Sequence, residues 1–235
     1  MESSKHGEPR KDINLHLKHI IFDYNGTLIN DALAQYEPCA KAFREHELPP
    51  LSFDRFQKEL CYPVKDFYIA NGFDTEKYDF AEMMDEYHRR FLLLLEKCEL
   101  FSDVKETLEF FKNKNVSLSI LSSLEHNMLM KNTKDKSIDE FFTNITGTKD
   151  TQAGSKIDNA KKWFQESGFK NHEIIMVGDT LHDAEVAEAL NITCFLVSRG
   201  VQHKDVLRKS KYRVFDSLKD MVENIKTANY ISIAS

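Results

Sequence analysis

The chain has 235 residues, 41% hydrophobic and 30% charged, with a formal charge of -6 and a pI near 5.9. These values exclude a disordered or fibrous chain and allow one large or two small globular units with a real core. The acidic balance gives no support to a nucleic-acid or anionic-membrane partner, so an anionic ligand would have to be met by local cations.

Residues 1–14 are polar and read as a flexible tail without the apolar stretch of a signal peptide. The run Leu17–Asp23 is short, apolar and β-rich, and Asn25-Gly26-Thr27 follows it. That pattern predicts a buried strand ending in a tight turn. Residues 31–100 change character: helical periodicity dominates, β-branched residues are few, and Pro49-Pro50, Pro63 and Gly72 punctuate the stretch. This predicts a separate all-α module. Its apolar run Phe91–Leu95 is far too short to cross a bilayer.

Strand and helix then alternate. Helices are predicted over Asp103–Lys114, Ser155–Ser167, Leu181–Leu190 and Leu218–Ile225. Strands are predicted over Val116–Leu121, Glu173–Val177, Ile192–Val197 and Tyr212–Phe215. The alternation implies an α/β fold, a Rossmann-like parallel sheet with helices on both faces. The interval from Asp23 to Leu121 far exceeds the roughly 30 residues of a strand–helix–strand unit. Residues 31–100 are therefore expected as an insertion into a core formed by 15–30 and 101–235. The insertion leaves the core at a strand's carboxyl end, where parallel α/β sheets bind ligands, and so reads as a lid. Cys39, Cys61, Cys98 and Cys194 form no Cys-x-x-Cys pair, which argues against zinc and for a reduced, cytoplasmic setting.

Three predicted strands end in polar residues: Asp23 with Asn25-Gly26-Thr27, Ser122-Ser123, and Gly178-Asp179-Thr180-Leu181-His182-Asp183. Parallel strands bring their carboxyl ends to one edge, so these groups can meet. Asp23, Asp179 and Asp183 would supply hard oxygen ligands suited to magnesium. Taken singly, each has a plainer explanation. Asp179 and Asp183 suit a solvated helix start, and Ser122 a helix cap. Lys156, or its neighbour Lys149, would be a surface charge.

Asp23-x-x-Gly26-Thr27-Leu28 after an apolar strand resembles the first motif of the haloacid dehalogenase superfamily of phosphohydrolases. Ser122 is similar to that family's second motif, Lys156 to the third, and Gly178-Asp179-Thr180-Leu181-His182-Asp183 to the acidic fourth. The order matches, and the all-α module resembles the family's helical cap. The stretch GDTLHDAEVAEALNI, followed by VSRGVQHKDVL, is most similar to the phosphoglycolate-phosphatase branch. The resemblance implies an enzyme that hydrolyses small phosphate monoesters with Mg2+ through an aspartyl-phosphate. Asp23 would be the nucleophile, with Ser122 and Lys156 also catalytic. Gly26, Thr27, Ser122, Ser123 and Lys156 would hold the phosphoryl group. Asp23, Asp179, Asp183 and the carbonyl of Asn25 would hold the metal.

One position departs from the family pattern. An Asp usually stands two residues after the nucleophile and works as acid and base; here it is Asn25. Such help is worth about 10²–10⁴-fold, so Asn25 implies a slow enzyme in which Asn25→Asp would raise turnover. The alternatives are a low-turnover phosphate-binding or regulatory protein, a phosphomutase, and a dehalogenase. The paired acids Asp179 and Asp183 argue against the last. Sequence gives no oligomeric state.

Overall fold

The computed structural model describes residues 15–148 and 156–230. The expected tail (1–14) and Lys149 lie outside the described residues. The first strand, β1, is His19–Phe22. Four helices follow it: α1 (Ala32–Glu45), α2 (Phe53–Glu59), α3 (Val64–Ala70) and α4 (Phe80–Leu95). The chain continues through α5 (Val104–Asn113), β2 (Ser117–Glu125), α6 (His126–Asp135), β3 (Asn144–Thr148) and α7 (Lys156–Ser167). It closes with β4 (Ile174–Gly178), α8 (Leu181–Leu190), β5 (Thr193–Val197), α9 (Lys204–Leu207), β6 (Arg213–Phe215) and α10 (Leu218–Thr227).

The six strands form one sheet in the order β3-β2-β1-β4-β5-β6, and every pairing is parallel. Alternate residues of each strand face opposite sides, so each strand feeds two apolar layers. Ile20, Phe22, Ile175, Val177, Phe195 and Val197 pack with Val104, Leu108 and Phe111 of α5 and Leu218, Met221 and Ile225 of α10. Ile21, Ile174, Met176, Cys194 and Leu196 face the other way, onto Ala160 of α7 and Val186, Ala187 and Leu190 of α8. Near-continuous apolar strands are what a sheet covered on both faces requires.

Helices α1–α4 pack through a third cluster rich in aromatic rings, Phe43, Phe56, Phe67, Tyr68 and Phe73 with Cys39 and Met83, which also takes in Val201, while Ala34, Phe91 and Leu95 join the first layer of the sheet. The chain enters and leaves them side by side. Ile29 bridges Leu100, Asn30 N donates to Glu99 O at 2.9 Å, and Phe101 N donates to Leu28 O at 3.1 Å. No helix among the described residues is long and apolar enough to cross a membrane.

Several elements differ from the sequence reading, and the short α9 is one that was not predicted. β3 and α6 fill the stretch between Leu124 and Thr148, where no element was predicted. β2 also runs past Leu121 to Glu125 through a register shift against β3. Ser122 and Ser123 therefore lie on the irregular end of the strand rather than after it.

Candidate active site

Asp23 follows β1 directly and stays in line with the sheet, its N–H donating to Val177 O at 2.8 Å. Asp179 follows β4, and Asp183 lies in the first turn of α8. The three carboxylates offer oxygens within 4.8 Å of one another. All are buried: Asp23 is 7% exposed, Asp179 0% and Asp183 1%. Lys156, at the start of α7, reaches into this cluster and donates to Asp23 Oδ1 at 2.5 Å and to Asp183 Oδ1 at 2.6 Å.

Each acid is held at a set angle. Asp179 Oδ2 accepts from Val201 N at 2.7 Å, and its Oδ1 accepts from the Thr27 hydroxyl at 3.3 Å. Asp183 Oδ2 accepts from the backbone N–H and hydroxyl of Thr180, at 3.1 and 2.7 Å, closing a capping box. Gly26 sits at φ +69°, which favours glycine, and a Cβ there would also run into the Asp179 carboxylate. Gly200 approaches Asp179 as closely from the other side.

The electrostatics are unbalanced. With all three acids ionised and Lys156 charged, two negative charges remain uncompensated. Burial raises Asp23 to about 7 against the pull of Lys156, with Asp183 adding repulsion. Burial and the charges of Asp23 and Asp183 push Asp179 well above the usual carboxylate range. Burial disfavours the Lys156 ammonium, but Asp183 and Asp23 outweigh it and raise its pKa, so the lysine stays charged. A buried cluster of hard oxygens with excess negative charge can accept a divalent cation, and nitrogen or sulfur ligands are lacking in it.

The remaining expected residues gather around these. Ser122 is 1% exposed, and its hydroxyl donates to Asn25 Oδ1 at 3.3 Å while accepting from Leu124 N at 3.1 Å. Ser123 is exposed and is linked to β3 through its carbonyl, which accepts from Thr148 Oγ1. Asn25 donates from Nδ2 to Asp31 Oδ2 at 2.6 Å. His182 lies on α8, pairs with Glu185 and stacks on Tyr62 at 5.3 Å between centroids.

Sequence reasoning took the loop at 199–203 into the stretch VSRGVQHKDVL but assigned it no site role. Arg199 donates to Asp103 Oδ1 and to Thr27 O, at 2.5 and 2.7 Å. Gln202 accepts from Leu181 N at 2.7 Å and donates to Leu60 O at 2.8 Å, while Gln57 of α2 donates to Gly200 O at 2.8 Å. One loop thus touches Asp179, the start of α8 and the helical insertion. Its signals in the sequence are that stretch and its place at the carboxyl end of β5.

A family model for haloacid dehalogenase-like hydrolases matches residues 20–197. The chain is 25% identical over 213 residues to the pyrophosphatase PpaX of Oceanobacillus iheyensis, spanning 88% of this chain and 95% of the relative. It is 22% identical over 160 residues to a phosphoglycolate phosphatase of Pseudomonas syringae pv. syringae, spanning 66% of this chain and 58% of the relative. Among solved structures, a haloacid dehalogenase-like hydrolase from Streptococcus pneumoniae superposes with a TM-score of 0.74 at 19% identity, over 89% of this chain and 99% of the other.

Proposed function

This chain belongs to the haloacid dehalogenase-like hydrolase family, and from that premise we propose that it is a magnesium-dependent phosphatase acting on small phosphate compounds through an aspartyl-phosphate on Asp23. The observation that carries the reading is the trio Asp23, Asp179 and Asp183, buried together and closed by the single ammonium of Lys156.

Asp23, Asp179, Asp183 and the Asn25 carbonyl are the groups that would hold magnesium. When bound, it offsets the excess carboxylate charge and draws electron density from the phosphoryl oxygens. In the reaction, an Asp23 oxygen attacks phosphorus and forms a covalent intermediate. Lys156 and the Ser122 hydroxyl orient and neutralise the phosphoryl oxygens. Gly26 lets the backbone come close to the phosphate. Thr27 keeps Asp179 in place, and Ser122, being buried, is a better phosphate ligand than Ser123. Residues 31–100 serve as the cap: paired linker segments at 28–30 and 99–101 suit a hinge, and the contacts of Gln57, Leu60 and Tyr62 with the core suit a closed lid that excludes water.

The substrate is a small-molecule phosphate, with the phosphoglycolate phosphatase and the pyrophosphatase among the relatives suggesting its size. The four free thiols fit a reducing, cytoplasmic setting. Asn25 favours a second reading, a phosphate-binding protein with little turnover. A panel of phosphate esters and pyrophosphate, assayed with and without Mg2+, separates the two. Magnesium-dependent phosphate release supports the enzyme; tight phosphate binding with no release by any compound favours the second.

A further inference from the structure

Asp31 belongs to no motif, yet it is fully buried and tied to the loop after β1. It stands just before α1, where an aspartate ordinarily caps the helix with its side chain. Here the side chain makes no cap bond. The carboxylate turns back instead. Oδ1 accepts from Gly26 N at 2.7 Å, and Oδ2 accepts from Asn25 Nδ2 at 2.6 Å and Gln35 Nε2 at 3.1 Å. An ionised carboxylate only accepts, so the Asn25 amide has one usable orientation: NH2 toward Asp31, carbonyl toward Ser122. Ser122 Oγ already accepts from Leu124 N, which directs its own proton to Asn25 Oδ1. Asn25 is thus a neutral link between a buried carboxylate and a phosphate-side hydroxyl.

An aspartate at position 25 would face Asp31 at the same short separation. Two carboxylates so placed share one proton, and that proton would lie between them rather than on a departing group. Asn25 is the side chain that fits beside Asp31, and the two residues belong together.

We propose that Asp31 is a positioning residue that fixes Asn25 in this orientation, and that the site in consequence favours phosphate compounds whose leaving group departs without a proton: phosphoanhydrides, acyl phosphates and aryl esters ahead of alkyl esters. The proposal rests on the phosphatase reading above. In the first step an Asp23 oxygen bonds to phosphorus while the bond to the leaving oxygen breaks, and that oxygen takes the electron pair. Phosphate, carboxylate and phenolate groups carry the resulting charge. An alkoxide needs a proton that Asn25 does not have. In the second step water bonds to phosphorus, the phosphorus–Asp23 bond breaks, Asp23 regains its carboxylate, and the water proton passes to the departing phosphate.

The test is a cycle of Asn25→Asp, Asp31→Asn and the double variant. Each is assayed with Mg2+ on pyrophosphate, 4-nitrophenyl phosphate and glycerol phosphate, and each is melted. In the native chain the aryl ester is expected to exceed the alkyl ester by about 100-fold or more in kcat/KM. Because Asp31 faces position 25, Asn25→Asp alone is expected to lower Tm by about 5 °C or more and, contrary to the rise that the family resemblance alone implies, to leave alkyl turnover no higher. The double variant is expected to recover most of the Tm loss and to raise alkyl turnover about tenfold or more, narrowing the aryl-to-alkyl ratio. A merely structural Asp31 would not give that reciprocal rescue. Additive Tm losses, or a rise in alkyl turnover in Asn25→Asp equal to that of the double variant, would overturn the clamp. Equal use of alkyl and aryl esters by the native chain would overturn the leaving-group preference. If no form releases phosphate from any compound, the phosphatase reading and the preference fall together, while the melting cycle still decides whether Asp31 clamps Asn25.

Discussion

The two edges of the sheet both bury polar side chains, and they handle charge in opposite ways. At the amino edge, His19 is 1% exposed and sits between two hydroxyls, Ser117 at 2.6 Å and Ser119 at 2.8 Å. Trp163 and Phe169 flank its ring at 4.7 and 4.9 Å between centroids. Burial lowers its pKa to about 3, so it stays neutral and satisfied. At the carboxyl edge, three carboxylates meet one ammonium and remain short of positive charge. The amino edge also carries a hollow of about 390 Å³, lined by Leu15, Ile192, Phe195, Tyr212 and Tyr230 among others. A hollow by itself marks no chemistry. The uncompensated charge points to the opposite edge, because a fold keeps an unbalanced buried cluster only where something else completes it.

The largest effect that can break this comparison is at the nucleophile. Asp23→Asn should cost about 10⁴-fold or more in phosphate release. The variant should fold, and metal-free it should melt no lower than the native chain, since one repelling carboxylate is gone; phosphate assays and melting curves read both. Next comes Lys156→Met, which leaves the acids with no counter-charge. Denaturant unfolding without metal should show a loss of about 3–5 kcal/mol, part of which Mg2+ restores. An unchanged unfolding curve would mean that the lysine is not the balancing charge.

The pH dependence sharpens the contrast. Asp23 lies near 7 in the fold against an ordinary 3.8, so the folded chain binds more protons than the unfolded one between those values. Its contribution to metal-free stability is greatest at acid pH and is lost as pH rises toward 7. His19 lies near 3 against an ordinary 6.5, so the unfolded chain binds more protons in that window. Its contribution is present above about 6.5 and is lost as pH falls toward 3. Melting scans over pH in EDTA and in Mg2+ should therefore differ most above pH 7 and converge in acid, where losses such as that of His19 are common to both. Equal Mg2+ stabilisation at all pH values would contradict the assignment of the acids as the metal site. The smallest effect is at the lid. Gln202→Leu removes the bond to Leu60 O and the acceptor for Leu181 N. It should cost about 1–2 kcal/mol of stability and raise KM more than it lowers kcat.

Much of this was legible in the sequence because the strands buried on both faces are near-continuous apolar runs. Ile20–Phe22, Ile174–Val177 and Cys194–Val197 announce themselves, and the polar residues after the first two mark the site. β3 was illegible because Asn144–Thr148 is a short edge strand of mixed polarity with Gly147 inside it. α6 was illegible because its sequence, HNMLMKNTKD, is polar on average, with its apolar residues bunched at Met128–Met130. Asp31 was hidden by its position, since an aspartate before a helix reads as a cap. Its true partners, Asn25 and Gly26, depend on how the turn after β1 folds back, with Gly26 N also reaching Ile29 O. The role of the loop at 199–203 was hidden because its contacts to Leu60, Thr27 and Asp179 are all distant in sequence, each pairing a side chain with a backbone atom.

The central claim is that Asp23 takes the phosphoryl group. Acid-quenching the enzyme during turnover of 4-nitrophenyl phosphate with Mg2+, followed by peptide mass analysis, reads it directly. With no acid or base at position 25, the second step should be slow and the intermediate should accumulate. The account predicts one added phosphoryl group on the peptide bearing Asp23, absent in EDTA and in Asp23→Asn. A phosphoryl group on another residue, or turnover that persists in Asp23→Asn, would contradict it.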